Sequence, residues 1–331
     1  MVTSLNEGGA LRSSSTPCIL LVDGHAYAYR AFYGIRSLNA PDGSPTNAIY
    51  GFLKMLARMR ASVAPTHLAV IWDGGLAPER TAALPEYKAQ RPPMPAGLAQ
   101  QMDSIVEYLR AAGLASWRRD GVEADDWIAV AARRAAAAGA QVVIASADKD
   151  FMQLVNARVG LLNPGDKSER VWTDAEVIAK TGVRPEQIVD WLSLVGDSVD
   201  NIPGVPGVGP KTATGLLQQF GSLDALYARL AEVKSDRLRE SLTAAREVMA
   251  RNRDLIYLRD DVGADFLMAD TIPGPEDTSR LAELFRSWGF RSLLNELEAR
   301  HAVAHQRDER SFRSLLNELE ARPEPEQGEL L

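Results

Sequence analysis

One cysteine, Cys18, stands in 331 residues, so the chain has neither an internal disulfide nor a cysteine-built zinc site open to it. Histidine is almost as scarce, with four residues scattered at 25, 67, 301 and 305, which supply no ligand set of their own. No apolar run approaches the ~20 residues needed to cross a bilayer. The opening MVTSLNEGGALRSSST also lacks the continuous apolar stretch of a secretory signal. The expectation is a loose polar leader over 1–16, a cytoplasmic location and no membrane attachment. Positive charge is short too: 37 Lys and Arg against 44 Asp and Glu leave a net charge of −7. Nucleic-acid binders usually carry the opposite balance. That objection is mild, because divalent cations would offset clustered carboxylates and basic residues gather locally at 54–60 and 80–91.

What the chain does have is a globular apolar fraction, 46%, and a length sufficient for one large domain or two modest ones. From residue 17, short apolar runs alternate with longer helical stretches, the pattern of a mostly parallel sheet flanked by helices. CILLV (18–22), HLAVIW (67–72) and QVVIASA (141–147) read as buried strands. Residues 48–60, 98–112 and 124–138 read as helices between them. Residues 74–97, rich in Pro, Arg and Lys, are too long for an ordinary connection and read as a functional loop. Strand signals thin from 173 to 262, where helices joined by Gly/Pro turns predict a second, helical subdomain. A further helical segment follows over 263–300. The run FRSLLNELEAR occurs at 290–300 and again at 312–322, an offset of about six helical turns. Two copies do not make a solenoid, and 301–331 reads as a tail carrying a duplicated helix end.

The acidic residues fall at particular places. Asp23 follows the first strand, Asp73 the second, and Asp148 with Asp150 the third. Parallel strands bring such residues to one edge of the sheet, where open α/β proteins place their sites. Glu123, Asp125 and Asp126 open a helix, a position that also suits acids electrostatically. Asp197 and Asp200, three apart, are expected on one face of a helical turn. Any one of these aspartates is most simply a turn or cap residue. Together they would repel unless cations lay between them. Magnesium or manganese prefers such oxygen ligands, and two ions about 4 Å apart clamp a displacement at phosphorus.

In NIPGVPGVGPKTA (201–213), Gly204, Gly207 and Gly209 precede Lys211, Thr212 and an amphipathic helix. Glycines admit a ligand close to the backbone, and a helix N-terminus offers free N–H groups to an anion. The spacing is not that of a Walker A loop. It has the form of a helix–hairpin–helix that grips duplex backbone without reading bases.

The runs LVDGH (21–25), YRAF (29–32), GVEADD (121–126), ADKD (147–150), GDSVDNIPGVPGVGPKTA (196–213) and FGSLDAL (220–226) resemble the 5′–3′ exonuclease domain of bacterial DNA polymerase I, within the flap endonuclease superfamily. The resemblance covers about residues 18–294. It implies a PIN-like α/β nuclease core over 17–172, an arch insertion at 79–97 and a helix–hairpin–helix subdomain over 173–262. It also implies two Mg2+ (or Mn2+) ions. Asp23, Asp73, Glu123 and Asp125 would serve mainly one of them; Asp148, Asp150, Asp197 and Asp200 would serve the other, and Asp126 belongs to the same acidic set. Lys88 and Arg91 would face the scissile phosphate with help from Arg80, Tyr29 would stack a terminal base, and Arg30 would be its basic neighbour. A potassium ion at the hairpin is an option the family carries. The partner would be DNA with a 5′ end, flap or nick, RNA–DNA primers included. The protein would be a monomer working alongside a separate polymerase.

Two positions depart from the family pattern: Glu79 stands where an aromatic is usual, and Gly75 follows Gly74. An RNA-directed nuclease would need neither arch nor hairpin. A catalytically inactive duplex-binding relative would be expected to lack an acid. A covalent-aspartate phosphatase would need Asp-x-Asp after the first strand, where this chain has Asp23-Gly24-His25.

Overall fold

The computed structural model describes residues 16–165, 170–262 and 266–302. The expected leader lies almost wholly outside the described residues, as does the second FRSLLNELEAR. A six-stranded sheet holds β1 (Cys18–Asp23), β2 (His67–Trp72), β3 (Ala115–Arg118), β4 (Gln141–Ala145), β5 (Val159–Leu162) and β6 (Val171–Trp172) in the order β3-β2-β1-β4-β5-β6. The first five strands run parallel and β6 is antiparallel. Of these, β3, β5 and β6 carry short or weakly apolar runs that periodicity alone does not single out. The 141–147 strand stops at Ala145, freeing Ser146 and Ala147 to turn toward the sheet edge.

Burial on both faces explains the near-continuous apolar strands. Ile19 and Leu21 of β1 face one core layer, which α5 (Ala124–Ala137) covers. Leu20 and Val22 face the other, covered by α1 (Gly24–Gly34), α2 (Asn47–Val63) and α4 (Ala96–Ala111). Within that second layer Gln101 of α4 accepts the N–H groups of Ala48 and Ile49 at the start of α2, at 2.8 and 3.1 Å. Two free helix donors are thereby satisfied.

Between β2 and α4 the insertion folds through α3 (Pro78–Ala83) and a turn that buries Tyr87 and Lys88. The helical region runs through α6 (Asp174–Thr181), α7 (Ile188–Val195), α8 (Pro210–Phe220), α9 (Leu223–Ala228), α10 (Asp236–Ala244) and α11 (Arg246–Ile256). A two-stranded pair, β7 (Gly196–Asp197) and β8 (Ile202–Pro203), joins α7 toward α8. Asp197 and Asp200 therefore sit at a strand end and in the following turn, not on the helical turn their spacing suggested. Gly196, at φ +83, caps and ends α7, so the helix does not reach Asp197. Helix α12 (Thr278–Ser287) and helical residues 291–302 pack Phe290 and Leu297 into the second layer.

Candidate active site

One cleft of about 400 Å³ opens at the carboxyl edge of the sheet. Asp23, Asp73, Asp125, Asp148, Asp197 and Asp200 line it, together with His25, Tyr29, Arg91, Ser146 and Lys149. Asp23 ends β1 and caps α1: one carboxylate oxygen accepts the Ala26 N–H at 3.0 Å and the other accepts the Ser146 hydroxyl at 2.9 Å. Asp73 accepts the Gly75 N–H at 3.0 Å, while its own N–H donates to His25 Nδ1. Gly74 between them is obligatory, since a Cβ there would meet the Arg119 carbonyl oxygen at 1.7 Å. Asp148 caps the short helix Lys149–Leu154 by accepting the Asp150 N–H at 2.9 Å.

The electrostatics are those of crowded acids. Burial raises the Asp23, Asp125, Asp148 and Asp150 carboxyls above their ordinary range, and repulsion among these acids, joined by Asp73, Asp197 and Asp200, pushes the same way. Asp150 is buried, and its Oδ1 has no hydrogen-bond partner. Cations on protein side chains already offset part of the charge. Arg91 donates to Asp200 at 2.6 Å, and Lys149 lies 3.1 Å from Asp197. Lys88 Nζ pairs with Glu123 and lies 3.7 Å from Asp125 and 3.8 Å from Asp200. Among the described residues no three acidic or histidine side chains yet converge as a finished ligand set. Several of the acids are instead held by the protein's own donors: Asp23 by Ala26 and Ser146, Asp73 by Gly75 and Asp200 by Arg91.

Five of the expected metal-binding and catalytic residues do not line the cleft: Asp150 and Lys88 are buried beside it, and Asp126, Arg80 and Glu123 are held by other partners. Asp126 lies on the side of α5 away from the cleft and receives both Arg80 guanidinium nitrogens at 2.8 Å, plus the Arg259 N–H at 2.9 Å. Arg80 is buried in that pair, also 3.1 Å from Glu123, and is therefore a clamp between insertion and core rather than a group facing a phosphate. Glu123 is buried behind the cleft, held by the Ala77 N–H, the Tyr87 hydroxyl and Lys88. Burial would raise its carboxyl, but Lys88 and Arg80 outweigh that and hold it at about 2. Consecutive residues on a helix point about 100° apart, so GVEADD could not reveal which acid faces which way. Glu79, the departure from the family pattern, pairs with Arg259 at 3.0 Å.

At the hairpin, Gly207 adopts φ +83, a conformation other residues resist, and Gly209 caps α8 in extended geometry. Gly204 serves internal packing, because a Cβ there would meet the Val195 carbonyl at 2.3 Å. Lys211 is exposed and Thr212 half-buried in the first turn of α8; Arg30 is exposed on α1. The readings from sequence did not single out His25, Ser146, Lys149 or Val199 in the cleft. Lys149, His25 and Val199 nonetheless lie inside the ADKD, LVDGH and GDSVDNIPGVPGVGPKTA runs.

A model of the 5′–3′ exonuclease N-terminal resolvase-like domain matches residues 18–182, and one of the 5′–3′ exonuclease C-terminal SAM fold matches 183–279. The chain is 36% identical over 289 residues to a 5′–3′ exonuclease of Aquifex aeolicus, covering 87% of this chain and 98% of that one. It is 38% identical over 283 residues to DNA polymerase I of Bacillus caldotenax, covering 85% of this chain but 32% of the polymerase. The chain thus spans about a third of the polymerase's length. Among solved structures, the phage T5 5′-exonuclease bound to zinc superposes with TM-score 0.62 at 21% identity, over 82% of this chain and 99% of that one. The catalytic core of Rad2 in complex with DNA substrate gives 0.53 at 14%, over 83% and 89%. Both show the same fold. Among the described residues no helix is long and apolar enough to cross a membrane.

Proposed function

The chain belongs to the 5′–3′ exonuclease family, and from that premise we propose that it is a divalent-metal-dependent nuclease hydrolysing DNA phosphodiesters at or near free 5′ ends, as exonuclease and 5′-flap endonuclease. The observation that carries this reading is one cleft lined by six aspartates and bordered by Arg91, Lys149 and Tyr29. The donors suit hard cations: all are carboxylate oxygens, and the buried Asp150 Oδ1 lacks any partner. Asp23, Asp73 and Asp125 would hold one Mg2+ or Mn2+ ion, and Asp148, Asp150, Asp197 and Asp200 a second. When bound, such ions supply Lewis-acid charge and an acidified water to phosphodiester hydrolysis.

The chain's own residues do the rest. Arg91, half-exposed, can exchange its Asp200 contact for a phosphate oxygen, and Lys149 can exchange Asp197 in the same way. Lys88 lies under the carboxylates, so its ammonium opposes negative charge building above it. Glu123 and Arg80 position that ammonium and anchor the insertion, the segment past which a 5′ strand would run. Tyr29 offers a face to an unpaired base near the cut.

The N-terminus of α8, with Gly207, Gly209, Lys211 and Thr212, would hold duplex backbone phosphates, with potassium as an auxiliary ion. The substrates would be nicked or flapped DNA and RNA–DNA primers, met by a monomer in the cytoplasm alongside a polymerase. The near-complete match to the Aquifex 5′–3′ exonuclease supports the activity, and the polymerase relatives support the association. Nothing in the site favours an inactive scaffold, since every acid of the cleft is present. Cleavage of a 5′-flap duplex with and without Mg2+ tests the proposal. Metal-independent cutting, or equal cutting of a 3′-flap, would remove it.

A further inference from the structure

Two large apolar side chains stand almost bare near the acidic cleft. Tyr33 is 69% exposed and Val199 is 67% exposed, the latter on the cleft wall between Asp197 and Asp200. Tyr33 lies on α1 four residues beyond Tyr29, hence on the same helix face. The two rings are near-parallel, 24° apart in plane, with centroids 6.4 Å apart. Phe32 meets the Tyr33 ring edge-on at 5.2 Å and packs against the second core layer, which braces Tyr33 from behind. Tyr29 lines the cleft, and Tyr33, which is not part of that lining, stands beside it. The fold uses neither exposed face for its own core.

A patch of this kind beside clustered acids and cationic side chains suits a ligand that carries both phosphates and flat π-faces. Unpaired nucleic acid is such a ligand, because every base stacks on an aromatic ring whatever its identity. An aromatic pair four residues apart offers two such surfaces in succession. We propose that Tyr33 is a second base-stacking position, holding the nucleobase next outward from the one on Tyr29, so that Tyr29 and Tyr33 together fix how far the unpaired strand enters before the phosphate reaches the carboxylates. This rests on the nuclease reading above and adds to it a residue that positions substrate. Val199 supplies an apolar contact on the cleft wall for the same strand.

The test is a cycle between protein and substrate. Single-turnover cleavage of a 5′-flap duplex is measured for wild type, Tyr33→Ala, Tyr33→Phe and Tyr33→Leu. Each is run on a normal substrate and on substrates with one abasic nucleotide placed successively along the unpaired strand. Tyr33→Ala should raise the half-saturating enzyme concentration roughly fivefold or more, beyond any fall in maximal rate. Phe should restore it and Leu should not. The loss should disappear at one abasic position, where no base remains to stack, and the cut site should spread by a nucleotide in the Ala variant. An unchanged half-saturation, a loss that persists at every abasic position, or rescue by Leu as good as by Phe would overturn the proposal while leaving the nuclease assignment standing. If wild type cuts no flap, the function itself falls and this inference falls with it.

Discussion

Lys88 and Glu123 form a buried ion pair that ties the insertion to the start of α5, their side chains 2% and 1% exposed. The backbone of Lys88 reinforces the tie: at φ +54 it donates its N–H to the Asp200 carbonyl at 3.0 Å. Burial alone would lower the Lys88 ammonium, but Asp125 and Glu123 lift it well above its ordinary range, so it is charged at any working pH.

Replacing Lys88 by Met should therefore cost both stability and rate. Losing one partner of a buried pair strands the other charge, a cost of about 3 kcal/mol, seen as a Tm several degrees lower. Flap cleavage should slow by more than DNA binding weakens, since the missing charge acts mainly on the transition state. A variant that melts and cuts like wild type would remove Lys88 from both roles.

Asp150 and Asp126 should respond in opposite ways. Asp150→Asn removes a carboxylate that its buried acidic neighbours repel, so the metal-free protein should hold or gain Tm while cleavage falls roughly a hundredfold or more. Asp126→Asn breaks the bidentate Arg80 pair and should lower Tm, yet retain most activity at a temperature where it is folded. Full loss of activity in folded Asp126→Asn would place that acid back among the metal ligands.

The hairpin separates charge from conformation. Lys211→Ala should weaken binding to duplex and flatten its salt dependence by about one unit of slope. Gly207→Ala, at φ +83 with open space around its Cα, should cost about 1 kcal/mol of strain and distort the same grip without changing net charge. An unaltered salt slope for Lys211→Ala would take this loop off the DNA.

Acid should act through two groups of carboxyls with opposite sign. Asp23, Asp125, Asp148 and Asp150 have raised folded values, so they bind protons more readily folded than unfolded, and the metal-free protein should gain stability as pH falls through those values toward the unfolded one of about 3.9. Glu123 is depressed to about 2, so its stabilisation is present above about 4.3 and is lost as pH falls from there toward 2. Melting in EDTA should thus rise as pH falls from neutrality and turn down only below about 4.3, where the Glu123 contribution begins to be lost. Under the proposed metal reading protons would compete with Mg2+ for the cleft acids, so the Tm gain from Mg2+ should be larger at pH 8 than at pH 5.5. A Mg2+ gain independent of pH would mean the ions bind elsewhere.

Much of the site could be read along the chain because a parallel sheet converts sequence position into place. Asp23, Asp73 and Asp148 each follow an apolar strand, and β1 lies between β2 and β4. Their meeting at one edge therefore needed only the strand assignments. The glycine-rich approach to Lys211 was legible for a similar reason, since Gly207 and Pro210 permit little besides a turn and a helix start. Tyr33 and Lys149 went unnoticed because an exposed tyrosine and a lysine between two aspartates look ordinary until their neighbours are known.

Sequence alone thus determined the layered α/β architecture, the sheet edge at which the acids gather and the second helical region, because periodicity and strand-end chemistry are local. Tertiary structure decided the direction of each acid. Asp125 and Asp126 are adjacent on one helix, yet one faces the cleft and the other faces Arg80 from the insertion, across 46 residues of chain. It also decided that Lys88 lies buried on Glu123 and that Asp197 and Asp200 occupy a strand end and turn. Those outcomes depend on which distant element supplies the opposing charge, and no local pattern in the chain encodes that partner.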